Sequence, residues 1–267
     1  MTLKLAVCVK VVPKPEEVTL DEESMTIDRE DATSELNPAD KNALEMALSI
    51  KDGHPDAEVY VFSMGPPLFV PFVRDAISMG VDDAVLLSDR AFGGADTYPT
   101  SRVLAAGIEK VGDVDLVLCG EESSDSSTGQ VPPGIAEWLD ATQVTYVNGV
   151  AVDLDAGTLT ATRTVTGGEE TVRVPLPTVV SVEYGVNDPR FLDYREKQRL
   201  DDEEWEPTVW DHEDLGIPVE ELGLEGSFTE VASLESVEAP ERKQEWIDGD
   251  PDEQAEELAA IVREELG

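Results

Sequence analysis

The sequence predicts an α/β fold: a parallel sheet with helices on both faces, a β-hairpin insert and an extended C-terminal arm. Three observations carry this reading. Apolar runs of strand length alternate with segments of helical periodicity, which is the βαβ order repeated. Crossovers of that kind join parallel strands and leave helices on both faces of the sheet. The chain has 267 residues, 40% of them hydrophobic, enough for one large core.

The elements follow in order. LKLAVCVKVV at 3–12 is the first strand-like run. The first helix, PADKNALEMALSIKD at 38–52, opens with Asn37 before Pro38, a capping residue followed by one suited to the first turn. Leu44, Ala47, Leu48 and Ile50 form its apolar face. AEVYVFSM, DAVLLS and DLVLCG are the next three strands, and PPLFVPFVRDAISMG and TSRVLAAGIEKVG are the helices between them. Val131, Ile135, Trp138 and Leu139 mark the buried face of a further helix. After Ala141 the pattern becomes short β-rich runs separated by Asp155-Ala156-Gly157 and Gly167-Gly168, a hairpin insert that returns to a last buried strand at 178–182. This Rossmann-like domain spans residues 1–186. From residue 187 the apolar density falls and the acidic runs DDEEWE and DHEDLG begin, so 187–267 reads as an arm. The arm ends in Leu258, Ile261, Val262 and Leu266, an apolar stripe on a short helix that is marginal alone and gains stability by docking on another chain.

Charge narrows the function. Lys and Arg total 19 against 59 Asp and Glu, a formal charge of −40, which excludes nucleic-acid or anionic-membrane binding through a basic patch. The acidic surplus fits a high-salt, halophilic cytoplasm, where salt screens the repulsion. Cys8 and Cys119 lie in apolar runs and read as small buried hydrophobes. Two Cys and two His, none at ligand spacing, give no metal site. The N-terminal run is too short and too interrupted by Lys4 and Lys10 for a signal peptide or a membrane span, which predicts a soluble, cytoplasmic protein without direct membrane insertion.

No Gly-x-Gly-x-x-Gly follows the first strand and no Walker lysine loop is present. The candidate site is instead the loop GEESSDSSTGQV at 120–131, where Ser127 or Thr128 can cap the following helix and the amides of Thr128, Gly129 and Gln130 suit a phosphate. An ordinary capped turn explains the same residues. Asn37, leading into Pro38, Ala39 and Asp40, can cap a helix or meet an adenine edge; capping is the commoner use. The loop at 92–97 holds paired Gly before Asp96 and Thr97, and Met64 ends the second strand. Such sheets bind ligands at the carboxyl ends of their strands, and these loops together suggest an adenine nucleotide held mainly by backbone groups.

Several stretches together carry a resemblance to a known family. They are Cys8-Val9-Lys10-x-Val12-Pro13, Asn37-Pro38-x-Asp40-Lys41-Asn42-Ala43-Leu44-Glu45, Ser63-Met64-Gly65-Pro66-Pro67 and Leu87-Ser88-Asp89-Arg90-Ala91-Phe92-x-Gly94-Ala95-Asp96-Thr97. Asp125-x-x-Thr128-Gly129-Gln130-Val131 and Asn187-Asp188-Pro189-Arg190-Phe191 continue it. Over nearly its whole length the chain resembles the β subunit of electron transfer flavoprotein, and the second and fourth stretches resemble the Fix-type, electron-bifurcating branch. The resemblance implies an adenine-nucleotide α-hydrolase-like fold, a heterodimer with an α subunit around which the arm wraps, and no catalytic residue on this chain. It implies one FAD held mainly by the α subunit and a second FAD or AMP in this chain. It places Cys8, Asn37, Pro38, Ala39, Asp40, Met64, Asp96, Thr97, Asp125, Ser127, Thr128, Gly129, Gln130 and Val131 around that nucleotide. Electrons would come from acyl-CoA or other flavin dehydrogenases, or from NADH, and pass to a membrane quinone oxidoreductase or, by bifurcation, to ferredoxin. Two patterns depart from the family. Glu121-Glu122-Ser123-Ser124-Asp125-Ser126-Ser127 stands where the bifurcating branch has Arg-Gln-Ala and then Asp-Gly-Asp, and Asp201-Asp202-Glu203-Glu204 stands near a usual lysine-rich segment. The alternative is a stress-protein-like adenine-nucleotide-binding module without a redox role. An adenylating enzyme would need a pyrophosphate loop where Lys10-Val11-Val12-Pro13 stands.

Overall fold

The computed structural model describes residues 2–14, 19–21, 26–28, 33–232 and 246–266. The strands are β1 (Lys4–Cys8), β2 (Val11–Pro13), β3 (Thr19–Asp21), β4 (Thr26–Asp28), β5 (Ser34–Leu36), β6 (Glu58–Met64), β7 (Asp83–Leu87) and β8 (Leu116–Gly120). After these come β9 (Thr142–Asp153), β10 (Thr158–Val165), β11 (Gly168–Pro175), β12 (Thr178–Val182) and β13 (Thr208–Trp210). The helices are α1 (Pro38–Gly53), α2 (Val70–Ser78), α3 (Thr97–Val111), α4 (Val131–Trp138), α5 (Tyr194–Asp202), α6 (His212–Leu215) and α7 (Pro251–Leu266).

Among the described residues nine strands form one sheet in the order β11-β10-β9-β12-β8-β1-β6-β7-β13. Its pairings from β9 through β12 to β13 are parallel, and β10 runs antiparallel to both β9 and β11, which is the expected hairpin insert. Alternate residues of β1 enter opposite cores. Leu5 and Val7 pack with Leu44, Leu48 and Val73 of α1 and α2. Ala6 and Cys8 pack with Val103, Ile108 and Ile135 of α3 and α4. Both faces are therefore covered, which explains why these strands are apolar at consecutive positions.

The first compact unit runs from Met1 to Ala232, past the boundary at 186 expected from composition. Strand β13 extends the sheet beside β7. Leu200, Ile217 and Leu222 are buried, and Arg190 binds Glu45 on α1 through its Nε at 2.9 Å and one Nη at 2.9 Å. Isolated apolar residues among acidic ones anchor this stretch, so its composition hid its packing. The second unit, Ser233–Gly267, contains α7, on which Leu258, Ile261 and Val262 are exposed; residues 233–245 of the expected arm lie outside the described residues. Among the described residues no helix is long and apolar enough to cross a membrane.

Candidate functional site

The parallel strands bring Cys8, Met64, Leu87 and Gly120 to one edge of the sheet at their carboxyl ends. The loops that leave this edge are tied to each other. Asn37 stands at the N-cap of α1 but makes no side-chain cap there. Its Nδ2 donates to the Glu122 carbonyl at 2.9 Å and its Oδ1 accepts from the Ser124 amide at 3.0 Å, with the side chain buried. The side chain therefore does not cap α1, the commoner of the two uses expected from the sequence. The loop opposite holds both ends of its amide.

Asp40 has the same kind of role. One carboxylate oxygen accepts from the Lys10 amide at 2.7 Å and the other from the Gly120 amide at 3.0 Å, joining the chain after β1 to the end of β8. Burial pushes its carboxyl up to about 6 against these amides and the Lys10 charge, which favour the ionised form. Lys10, which sequence reasoning left out of the site, completes the cluster. Its ammonium lies 2.6 Å from Asp125 Oδ1, 3.2 Å from Ser123 Oγ and 3.4 Å from Ser126 Oγ. The Asp125 side chain is only 4% exposed, and its burial opposes ionisation, but the Lys10 bond and the two hydroxyls hold the carboxyl below its ordinary value. The signal available was position: Lys10 follows the first parallel strand at its carboxyl end, the edge where sheets of this kind bind ligands.

The loop then turns through Ser127 and Gly129, both left-handed at φ 46° and 61°. Ser127 donates its hydroxyl back to the Ser123 carbonyl at 3.3 Å, and α4 has Gln130 at its N-cap without a side-chain cap, so neither Ser127 nor Thr128 caps it. Pro132 and Pro133 occupy the first turn and carry no N–H. The donors at this helix start therefore sit in the loop itself. Among the described residues the amides of Thr128, Gly129 and Gln130 donate to no protein acceptor, and Thr128 and Gln130 are exposed. An anion fits donors of this kind.

Thr97 and Asp96 divide in role. Thr97 Oγ1 donates to Gln130 Oε1 at 2.9 Å and brings the 92–97 loop to the 120–131 loop. Asp96 caps α3 through the Tyr98 amide at 2.9 Å, and its other oxygen accepts from the amides of Phe228 and Thr229 and from the Thr229 hydroxyl. Covering works against its ionisation, yet these donors hold the carboxyl low. Pro38 and Ala39 form the first turn of α1, Met64 packs on the core, and Val131 is half-buried at the start of α4.

Away from this edge, the side chains of Asp89, Asp211 and His212 gather within 4.8 Å. Each is engaged within the protein: His212 Nδ1 meets Asp89 Oδ2 at 2.5 Å, and Asp211 accepts from the Asp214 amide at 2.9 Å in a capping box.

The family model described as "Electron transfer flavoprotein domain" matches residues 24–212. Among curated relatives, "Caffeyl-CoA reductase-Etf complex subunit CarD" of Acetobacterium woodii is 44% identical over 229 residues, 86% of each chain. "Electron transfer flavoprotein subunit beta" of Clostridium acetobutylicum is 40% identical over 263 residues, 98% of this chain and 99% of the relative. "Protein FixA" of Azotobacter vinelandii is 37% identical over 263 residues, 95% of this chain and 92% of the relative.

Proposed function

The chain belongs to the electron transfer flavoprotein family, a family associated with flavin, and on that premise we propose that it is the β-type subunit of a heterodimer that carries electrons and makes no bonds of its own. The α-type partner holds one FAD for the most part. This chain holds an adenine nucleotide at the carboxyl edge of its sheet, a second FAD in our reading, with AMP as the other candidate. Electrons enter from acyl-CoA or other flavin dehydrogenases, or from NADH, and leave to a membrane quinone oxidoreductase or, by bifurcation, to ferredoxin. The arm contacts the α subunit, and the complex works in a salt-rich cytoplasm.

The observation that carries the nucleotide reading is the loop at 127–131, whose amides at Thr128, Gly129 and Gln130 meet no protein acceptor among the described residues. These donors suit the phosphate end, which FAD and AMP share. Cys8, Pro38, Ala39, Met64, Thr97 and Val131 are candidate walls. Asn37, Asp40, Asp96 and Asp125 hold the loops in place. The stress-protein-like alternative is not favoured, because the family match and the curated relatives, over most of the chain, are electron transfer flavoproteins.

The test is to co-purify the chain with its α partner, denature the complex and identify the released nucleotides. Two FAD per heterodimer supports the reading as stated, and one FAD with one AMP replaces the second flavin. A single FAD with no further adenine nucleotide defeats the nucleotide site.

A further inference from the structure

We propose that Lys10 is the charge-positioning residue of the nucleotide loop: its ammonium offsets Asp125 and ties down Ser123 and Ser126, so that a phosphate can meet the amides of residues 128–130 without an uncompensated carboxylate beside it. The inference rests on the nucleotide reading above and names what lets an acidic loop accept an anion.

Loop 121–127 contains three acids, Glu121, Glu122 and Asp125, and no base. Glu121 is turned to the end of β12, where its carboxylate accepts from the Tyr184 amide at 3.2 Å. Asp125 lies closest in sequence to the open amides, and its side chain is nearly covered. A covered carboxylate is poorly screened by solvent, so its repulsion of a neighbouring phosphate acts at a lower effective dielectric than a surface charge would. Lys10 removes that repulsion locally. Its three acceptors, Asp125, Ser123 and Ser126, match the three protons of an ammonium. The backbone of Lys10 is fixed independently by the Asp40 carboxylate, so the side chain starts from a set point. The ammonium is thus already engaged by three loop oxygens although its side chain is 41% exposed, which makes it an organiser of the loop and leaves phosphate contact to the amides.

The experiment uses the αβ complex stripped of nucleotide, with AMP and adenosine as calorimetric probes. Lys10→Met should weaken AMP by about tenfold or more, as expected when one charge near an anion goes unpaired. Adenosine affinity should stay within about twofold, because adenosine carries no phosphate to repel; a general loss of structure would weaken both probes. Lys10→Met combined with Asp125→Asn should return AMP to within about threefold of wild type, because the offending charge is gone. Molar salt should also shrink the defect of the single variant. A double variant as weak as the single one would mean that Lys10 grips the phosphate directly, and equal loss of both probes would mean a merely structural role; either overturns the inference. Unchanged AMP affinity in Lys10→Met overturns it while sparing the nucleotide site. A wild-type complex in which this chain takes up neither AMP nor FAD overturns both.

Discussion

The carboxylate of Asp40 occupies the space that a side chain at residue 120 would need. A Cβ built on Gly120 would lie 2.4 Å from Asp40 Oδ1 and 2.7 Å from the Ala39 carbonyl carbon, while the Gly120 amide donates to the same oxygen at 3.0 Å. The start of α1 and the end of β8 therefore meet backbone to backbone. The open loop at 121–131 begins from this fixed contact.

Asp40 makes stability depend on pH in the sense opposite to Glu45, Asp89, Asp96 and Asp125, whose carboxyls are held low. Burial raises its carboxyl from 3.8 to about 6, so the folded state binds the proton more tightly than the unfolded chain does. The stabilising contribution is fully present below about pH 4 and is lost as pH rises through about 6, amounting to about 3 kcal/mol. Denaturant unfolding of wild type and Asp40→Asn from pH 4 to 7 should show the difference between them shift by that order toward the variant. A difference that stays constant with pH would refute the assignment.

Arg190 and Glu45 pin the chain after the last central strand to α1. The guanidinium makes paired bonds to Glu45 and reaches Asp52 at 2.8 Å, and the Arg190 amide also donates to Glu45 at 2.9 Å. Burial opposes ionisation of Glu45, but these bonds hold its carboxyl below the ordinary value. The clamp is present above the unfolded pKa near 4.5 and is lost as pH falls through the folded one. Glu45→Gln should cost about 1.5–3 kcal/mol near pH 7, the range for hydrogen bonds to charged groups, read from chemical denaturation. A cost that does not shrink at acid pH would show that packing alone holds this segment.

What the sequence made legible follows from locality. The repeated βαβ order and the insert turns at 155–157 and 167–168 are signalled by residues close in sequence, and the structure has them. The packing of 187–232 was not legible, because Leu200, Ile217 and Leu222 are single buried residues in acidic surroundings with no period to reveal them. The same limit applied at the site. Asn37 and Glu122 are 85 residues apart, Lys10 and Asp125 are 115 apart, and Asp96 and Phe228 are 132 apart. Polar residues that looked like ligand groups turned out to bind one another across loops, and no spacing rule discloses such pairs.

Gly129 tests the open amides directly. Its φ of 61° lies where side chains are strained, and a Cβ there would meet only the Glu121 carbonyl, at 3.5 Å. Gly129→Val is therefore a conformational and not a crowding change, costing about 1–2 kcal/mol or moving the backbone. The complex should fold with a slightly lowered Tm and lose its bound adenine nucleotide, measured after denaturation. Full retention of the nucleotide would show that these residues form only a turn.

The formal charge of −40 predicts dependence on salt. The Debye length is about 10 Å at 0.1 M and about 3 Å at 1 M, so repulsion reaches several neighbouring carboxylates only in the first case. Thermal melts should rise steadily from low to molar salt, and a flat profile would remove the high-salt reading.

Helix α7 predicts where the chain meets its partner. Leu258, Ile261 and Val262 are 53%, 37% and 44% exposed, and they recur at the three- and four-residue spacing that puts them on one face. The rest of its described surface is dominated by acids such as Glu253, Glu256, Glu257 and Glu264, which keep it soluble but do nothing to bury the stripe. A helix of 16 residues is near the length at which isolated helices are marginal in water, so docking should contribute most of its stability. The compact unit Met1–Ala232 has its own two cores without it. Deleting residues 240–267 should thus leave the thermal unfolding of that unit within a few degrees of the full chain while weakening association with the α subunit at least about tenfold, about 1.4 kcal/mol, measured by titration calorimetry. Replacing Leu258, Ile261 and Val262 together with Ser should reproduce the loss, because it removes the stripe and keeps the charge. Association at full strength in both variants would show that α7 takes no part in the heterodimer.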